Sequence, residues 1–101
     1  MKYFLLEGEH LVPFEQRSPE LIARHRAFLQ KGYDEGHFLL SGPYIPPNGG
    51  VLIARAESLE HLKELLKEEP FTKEKVMRFK TITEFNPVQH QPFLRSWFSG
   101  I

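Results

Sequence analysis

His25 and Glu69 are the two side chains whose types would suit acid–base chemistry if the fold brought them together. An imidazole changes charge near neutral pH, so it can take a proton from a ligand and give one back. A lone histidine on an apolar helix stripe is more often a packed residue than a catalytic one, so a catalytic role requires a partner. His25 lies on such a stripe in a predicted helix, among Leu21, Ile22, Phe28 and Leu29.

Glu69 is the partner that the predicted topology offers. It precedes Pro70 at the end of the second predicted helix, where a carboxylate faces the negative end of the helix dipole. That position is unfavourable for stability, which favours a functional role for Glu69. The alternative is that Glu68 and Glu69 are only the solvated end of a charged helix. If the strands alternate in direction, the first helix begins at the sheet end where the second one finishes, and His25 can meet Glu69. The carboxylate would then accept a hydrogen bond from the imidazole and orient it.

Four further residues are candidates for substrate binding. Two arginines near the start of the first helix could bind an anionic or phenolate group, although such arginines are more often solvated or paired. A serine and a tyrosine flank the Gly42-Pro43 bend, where a hydroxyl could orient a substrate oxygen, although turn chemistry alone also explains the serine. The four are Arg17, Arg24, Ser41 and Tyr44.

The remaining histidines do not indicate a metal site. They lack the paired spacing of zinc ligands, and the sequence has no acidic calcium loop and no glycine-rich phosphate cradle. It has no serine or cysteine nucleophile motif either. We therefore expect no metal, no nucleotide or other cofactor, and no covalent intermediate. The histidines in question are His10, His37, His61 and His90.

The composition excludes several classes of protein. The chain has 101 residues, no cysteine, and 13 basic side chains against 13 acidic ones, which fits one domain without disulfides. Balanced charge without a basic stripe argues against nucleic acid as a partner. No apolar run approaches the roughly 18 residues of a membrane span, and the apolar N-terminal run is too short for a signal peptide. We expect a cytoplasmic protein that binds no membrane.

The predicted elements alternate in a recognisable order. Ser18 and Ser58 are suited to cap helices, the first running to about Gly32 and the second ending at Pro70. Alternation in the last strand predicts one shared face for Met77, Phe79, Thr81, Thr83 and Phe85. The order β-α-β-β-α-β predicts an α+β, ferredoxin-like fold: an antiparallel four-stranded sheet with two helices on one face. Strands are predicted over residues 2–7, 37–41, 51–56 and 76–85.

The other face of that sheet is left bare, which predicts a homodimer or a higher homo-oligomer. A single chain seldom exposes so large an apolar surface, and a second copy would cover it. We assign residues 1–85 to the folded domain and residues 86–101 to a C-terminal tail. The tail is too aromatic to lie in water, so we expect it to pack on a partner subunit. Its apolar residues include Phe93, Leu94, Trp97 and Phe98.

Several short motifs, taken in their order and spacing, resemble the YciI-like family over residues 1 to about 85. They are Arg17 and Arg24-His25, the run from Gly36 to Pro43, Ala56-Glu57-Ser58-Leu59-Glu60, and Glu69-Pro70-Phe71. The resemblance implies a ferredoxin-like protomer that pairs into a dimeric α+β barrel. It also implies a catalytic pair in which His25 matches the family histidine and Glu69 stands where the family has an aspartate. Related chains are linked to lyase or elimination chemistry on phenolic compounds.

Three classes of function are compatible with these observations. The first is an enzyme in which His25 moves a proton, Glu69 holds the ring and Arg17 or Arg24 balances negative charge, in an elimination or isomerisation of a small molecule. The alternative is a non-catalytic module that binds a metabolite or docks a protein through the same pocket. A third interpretation makes the domain an assembly unit only.

Overall fold

The four strands and the two main helices follow the order that the sequence predicts, and the chain adds two short helices. The computed structural model describes residues 1–98. The strands are β1 (Lys2–His10), β2 (Phe38–Pro43), β3 (Gly49–Ala56) and β4 (Met77–Phe85). The helices are α1 (Pro19–Asp34), α2 (Leu59–Leu66), α3 (Pro70–Lys73) and α4 (Arg95–Phe98), with 3-10 turns at Phe14–Gln16 and Pro92–Leu94.

Serine caps set where the two main helices begin. The Ser18 hydroxyl accepts a hydrogen bond from the backbone N–H of Leu21 at 3.1 Å, which satisfies one of the free donors of α1. Ser58 caps α2 in the same way, through the N–H of His61 at 3.0 Å. Both predicted helix starts are confirmed. Within residues 1–98, no helix has the length and apolar character needed to cross a bilayer.

The four strands form one antiparallel sheet in the order β2-β3-β1-β4. Side chains from one face of this sheet pack against α1 and α2, so both helices lie on the same side. This arrangement is the predicted ferredoxin-like α+β fold. The buried strand residues are Phe4, Leu6, Phe38, Leu52, Ala54 and Ala56, and the helices add Phe28, Leu29, Tyr33, Leu62, Leu65 and Leu66.

A bulge in β4 changes the predicted alternation. The pairing of β1 with β4 shifts by one residue between Glu7 and Gly8, which leaves Lys80 as an extra residue on β4. Before the bulge, Met77 and Phe79 lie on the helix side of the sheet. The prediction that five residues of β4 share one face is wrong, because the extra residue turns the later side chains to the opposite face. Those later residues are Thr81, Thr83 and Phe85.

The open face, meaning the sheet face away from α1 and α2, carries apolar side chains. Leu40 is 50% exposed and Phe85 is 37% exposed there. The register partners of Leu40 and Phe85 on the neighbouring strands are themselves only partly buried. The open face therefore keeps the uncovered apolar surface that the sequence predicts. Its other apolar residues are Tyr3, Leu5, Val51 and Ile53.

The C-terminal tail packs on one end of this open face within its own chain. The rings of Trp97 and Phe98 lie 5.8 and 5.3 Å from the ring of Tyr3, measured between centroids. The guanidinium of Arg55, which pairs with Tyr3 across the sheet, lies 4.8 Å from the Trp97 ring. Packing of the tail on a partner subunit stays a prediction, and residues 99–101 lie outside the described part of the chain.

We expect Gly32→Ala to lower the free energy of unfolding by about 1–2 kcal/mol. A methyl group on Gly32 would lie 2.1 Å from the buried ring of Phe38, and overpacking a core costs about 1–3 kcal/mol. Alanine regains at most about 1 kcal/mol through its helix propensity. Urea unfolding measures the effect as a lower midpoint at an unchanged slope.

Gly42→Ala is the matched control for Gly32→Ala. A methyl group on Gly42 would meet no heavy atom within 4 Å, so its midpoint should stay close to that of the wild type. Equal midpoints for the wild type and Gly32→Ala would contradict the close approach of α1 to β2.

Candidate active site

The structure brings His25 and Glu69 together. The Nδ1 atom of His25 lies 2.6 Å from Oε1 of Glu69. The residue Glu69 is only 1% exposed, whereas the His25 side chain keeps 20% of its surface accessible. The carboxylate is therefore enclosed in protein, and the imidazole lies between it and more open space.

Glu69 is held by the backbone of α3. Its Oε1 accepts a hydrogen bond from the N–H of Phe71 at 3.0 Å and its Oε2 accepts one from the N–H of Thr72 at 2.7 Å. It is thus the N-cap of α3. The sequence pattern predicts Glu69 at the unfavourable C-terminus of the second helix, but α2 ends at Leu66 and a new helix begins after the carboxylate. That dipole argument is wrong, because the start of a helix stabilises an acid.

Opposing effects act on the pKa of Glu69. Burial by itself raises the pKa of this carboxyl group. Hydrogen bonds from His25 and from the N–H groups of Thr72 and Phe71, together with the charge on His25, outweigh burial and hold the pKa below its usual value. Glu69 is therefore ionised at neutral pH, and as an acceptor it requires a proton on Nδ1 of His25. The Nε2 atom of His25 is then the nitrogen that can exchange a proton with a ligand.

Phe71 fixes the plane of the imidazole. Its ring is stacked on the ring of His25 with centroids 3.8 Å apart and only 4° between the planes. Because Phe71 follows the cap residue Glu69 by two positions, one short segment supplies both the acceptor and the flat surface. The orientation of His25 is therefore set in two independent ways.

A cavity of about 510 Å³ lies between α1 and the sheet, and His25 and Glu69 are part of its wall. Most of the wall is apolar, as expected of a site for a small organic molecule. The apolar residues include Leu6, Phe14, Ile22, Phe28, Leu29, Leu52, Met77 and Phe79. Beyond His25 and Glu69, the polar or charged side chains in the wall are His10, Arg26 and Ser41.

Ser41 is the one predicted binding residue that lies in the cavity wall. Its hydroxyl forms a 2.5 Å hydrogen bond with the hydroxyl of Tyr33. Tyr44 instead donates to Glu7 at 2.6 Å, on the open face of the sheet, where Thr81 donates to the same carboxylate at 3.1 Å. The structure therefore does not bring Tyr44 to the cavity.

The two predicted arginines also lie outside the cavity wall. Arg24 forms ion pairs with Glu20 at 3.9 Å and with Glu74 at 3.8 Å, on the outer side of α1. Arg17 is buried, with 6% of its surface exposed, and its guanidinium carbon lies 4.3 Å from the centroid of the Phe71 ring. The arginine that does reach the cavity is Arg26, which the sequence analysis did not single out.

His10 is a second cavity residue that the sequence analysis set aside. The alternation Phe4, Leu6, Gly8 along β1 places position 10 on the helix side, but the predicted strand stopped at residue 7. A longer strand prediction would have found it. Within residues 1–98, no three His, Asp or Glu side chains gather in the manner of a metal-ion site.

We expect Glu69→Gln to flatten the acid limb of the stability profile. A folded-state pKa below the unfolded value stabilises the fold above the unfolded pKa, and this contribution is lost as pH falls through the folded pKa. The wild type should therefore lose more unfolding free energy than Glu69→Gln below about pH 5. Near neutral pH the variant should be less stable by about 1–3 kcal/mol.

Glu57→Gln is the control for Glu69→Gln, because the Glu57 side chain is exposed. Chemical unfolding at a series of pH values checks both variants. Identical profiles for Glu69→Gln and Glu57→Gln would contradict the depressed pKa of Glu69.

Comparison with known proteins places the chain in a family. No curated protein matches it at a significant level. Among solved structures it is similar to the 5-chloro-2-hydroxyhydroquinone dehydrochlorinase from Burkholderia phenoliruptrix AC1100 in complex with 2,5-dihydroxybenzoquinone. The TM-score is 0.54 over 92% of this chain and 98% of that one, and the 19% identity limits the likeness to the fold. The model of the YCII-related domain matches residues 1–86, so the chain belongs to this family, the YciI-like family that its sequence resembles.

Proposed function

We propose that the protein is a small-molecule enzyme in which His25 and Glu69 act as an acid–base pair in a lyase or isomerase reaction. The observation that carries the proposal is the 2.6 Å contact between Nδ1 of His25 and a buried carboxylate, in the wall of a mostly apolar cavity. A carboxylate that holds an imidazole in one tautomer and stabilises its protonated form is the arrangement used in histidine acid–base catalysis.

An elimination illustrates what these groups would do. The Nε2 atom of His25 takes a proton from a hydroxyl group or carbon of the substrate, and the electron pair left behind forms a new double bond. The leaving group departs with the electrons of its own bond. The imidazolium of His25, stabilised by ionised Glu69, then returns its proton to the leaving group or to solvent. In an isomerisation it would return the proton to another atom of the substrate.

A small, flat, oxygen-bearing ring that can carry negative charge is the proposed substrate class. The cavity volume of about 510 Å³ suits a molecule of that size, and its apolar walls suit the faces of a ring. The carboxylate of Glu69 is already hydrogen-bonded to His25, whereas Arg26 places a positive charge in the same wall, where it can attract an anionic substrate. Ser41 could orient a substrate oxygen from the sheet side. The dehydrochlorinase with the similar fold was solved with a compound of this kind, 2,5-dihydroxybenzoquinone.

We expect His25→Gln to reduce turnover of a test substrate, 5-chloro-2-hydroxyhydroquinone, by about 10²–10⁴-fold, the usual contribution of a general acid or base. Chloride release and quinone absorbance measure the reaction. Binding of 2,5-dihydroxybenzoquinone, measured by calorimetry, should change far less. His61→Gln is the control, because His61 lies on α2 and is not in the cavity wall.

Two outcomes would count against the catalytic role of His25. Equal turnover by the wild type and His25→Gln would remove His25 from the mechanism. If the wild type bound the quinone with thermal stabilisation but formed no product, the alternative of a non-catalytic metabolite-binding module would be favoured instead.

We also propose that a second copy of the chain covers the open face. The support is the row of partly exposed apolar side chains there, including Leu40 at 50% exposure. The tail would contribute to the same interface, since Val88 and Phe93 stay largely exposed while Trp97 and Phe98 contact the sheet of their own chain. Two such sheets packed face to face would cover both the open face and the exposed apolar side chains of the tail.

We expect Leu40→Glu to convert the assembly into monomers, because it places an unpaired charge in the proposed apolar interface. Light scattering coupled to size-exclusion chromatography measures the particle mass. Leu59→Glu is the control, since Leu59 is a partly exposed leucine at the start of α2, on the helix side. A monomeric wild type at micromolar concentration would contradict the proposal.

A further inference from the structure

His10 faces the same cavity as His25, but from the opposite layer of the fold. It is the last residue of β1, and its register partner on β4 is Met77, which also lines the cavity. His25 comes from α1, so a ligand in the cavity would lie between a helix histidine and a sheet histidine. The mechanism above uses only the first of these imidazoles.

Arg17 contacts one of the two ring nitrogens of His10. Its Nη1 lies 3.4 Å from Nε2 of His10. A guanidinium has donors only, so this contact requires an unprotonated Nε2 that accepts. The proton of the neutral ring is then on Nδ1.

The guanidinium of Arg17 is anchored independently of His10. Its Nη2 donates to the carbonyl oxygen of Val76 at 2.8 Å, and its central carbon lies 4.3 Å from the centroid of the Phe71 ring. Only 6% of Arg17 is exposed. Because it is buried and anchored, it can act on His10 as a stationary donor.

The surroundings of His10 favour its neutral form. Burial and the positive charge of Arg17 lower the pKa of His10, and the opposing effect of Glu15 is smaller. The remaining ring neighbour, Phe14, is uncharged and stacks at 6.1 Å between centroids. A neutral imidazole whose Nε2 is occupied keeps one group for a ligand, the Nδ1–H donor.

We propose that His10 is a second catalytic residue, whose neutral Nδ1–H donates a hydrogen bond to the substrate oxygen that gains negative charge during the reaction, and that Arg17 is its positioning residue. This inference rests on the proposed acid–base function. When Nε2 of His25 removes a proton, negative charge develops on the substrate oxygen before the leaving group departs with its bonding electrons, and His10 stabilises that charge without transferring its own proton. The two histidines thus have different tasks, one moving a proton and the other binding charge.

The first test is long-range nitrogen-15 NMR of the imidazole rings in the wild-type protein. At neutral pH we expect the His10 signals to show a protonated Nδ1 and an unprotonated Nε2. Arg17→Met should shift the ring toward the Nε2–H tautomer. A wild-type ring that is charged, or that carries its proton on Nε2, would overturn the proposal even if the Arg17 variant does not fold.

The second test compares two His10 variants in turnover of 5-chloro-2-hydroxyhydroquinone. His10→Leu removes the donor and should lower kcat by about 10²–10³-fold, as loss of a donor to a developing oxyanion does. His10→Asn keeps an N–H and should recover part of this loss. His37→Leu is the control, because His37 lies outside the cavity wall. Equal kcat values for the wild type and His10→Leu would overturn the proposal.

Binding of 2,5-dihydroxybenzoquinone separates failure of this inference from failure of the proposed function. If the wild type binds the quinone but turns over no chlorinated substrate, the proposed reaction fails. The role of His10 is then tested by the effect of its variants on affinity for the quinone. His10→Leu should then weaken binding about three- to tenfold and His10→Asn less, in line with one hydrogen bond. Unchanged affinity in His10→Leu, or no binding by the wild type, would overturn the role of His10.

Discussion

The buried carboxylate of Glu69 is the constraint on which the rest of the site depends. An ionised group with 1% exposure is strongly destabilising unless hydrogen bonds replace the water it has lost. Two backbone N–H groups of α3 and the imidazole of His25 supply those bonds. The segment after α2 must therefore turn into a new helix at this point, and α1 must present its histidine here. Stability and the geometry of the candidate site have the same origin.

The ring of Phe71 extends this constraint to the neighbouring cation. It is stacked on His25 and also contacts the guanidinium of Arg17, which in turn reaches His10. Three side chains from β1, α1 and the segment before α1 are thus ordered around one aromatic residue. A polar network of this kind holds its members in place because each buried group would be costly if left unpaired. The geometry of the candidate site in a chain of 101 residues then needs few additional contacts.

The juxtaposition of His25 and Glu69 was predictable from topology, although the position of Glu69 at a helix start was not. Alternating strand directions bring the start of α1 near the end of α2, and this follows from the order of the elements alone. Glu69 lies at a helix start and not at a helix end, because Pro70 begins α3, which the sequence alone does not show. The bulge at Lys80 could not be predicted either, because the alternation of residue types continues in the sequence while the strand pairing shifts by one residue. Likewise, nothing local separates Arg17, which is buried behind Phe71, from Arg26, which reaches the cavity.

The sequence by itself determined the order and type of the main elements, the caps at Ser18 and Ser58, and the family resemblance. These features depend on side chains and backbone groups within a few residues of each other, so they can be read along the chain. Only the tertiary structure decided which polar residues share the cavity: His10, Arg26 and Ser41 line it, whereas Arg17, Arg24 and Tyr44 do not. The physical reason is that exposure and pairing depend on packing between distant segments and on strand register, and one inserted residue can reverse the direction of a side chain.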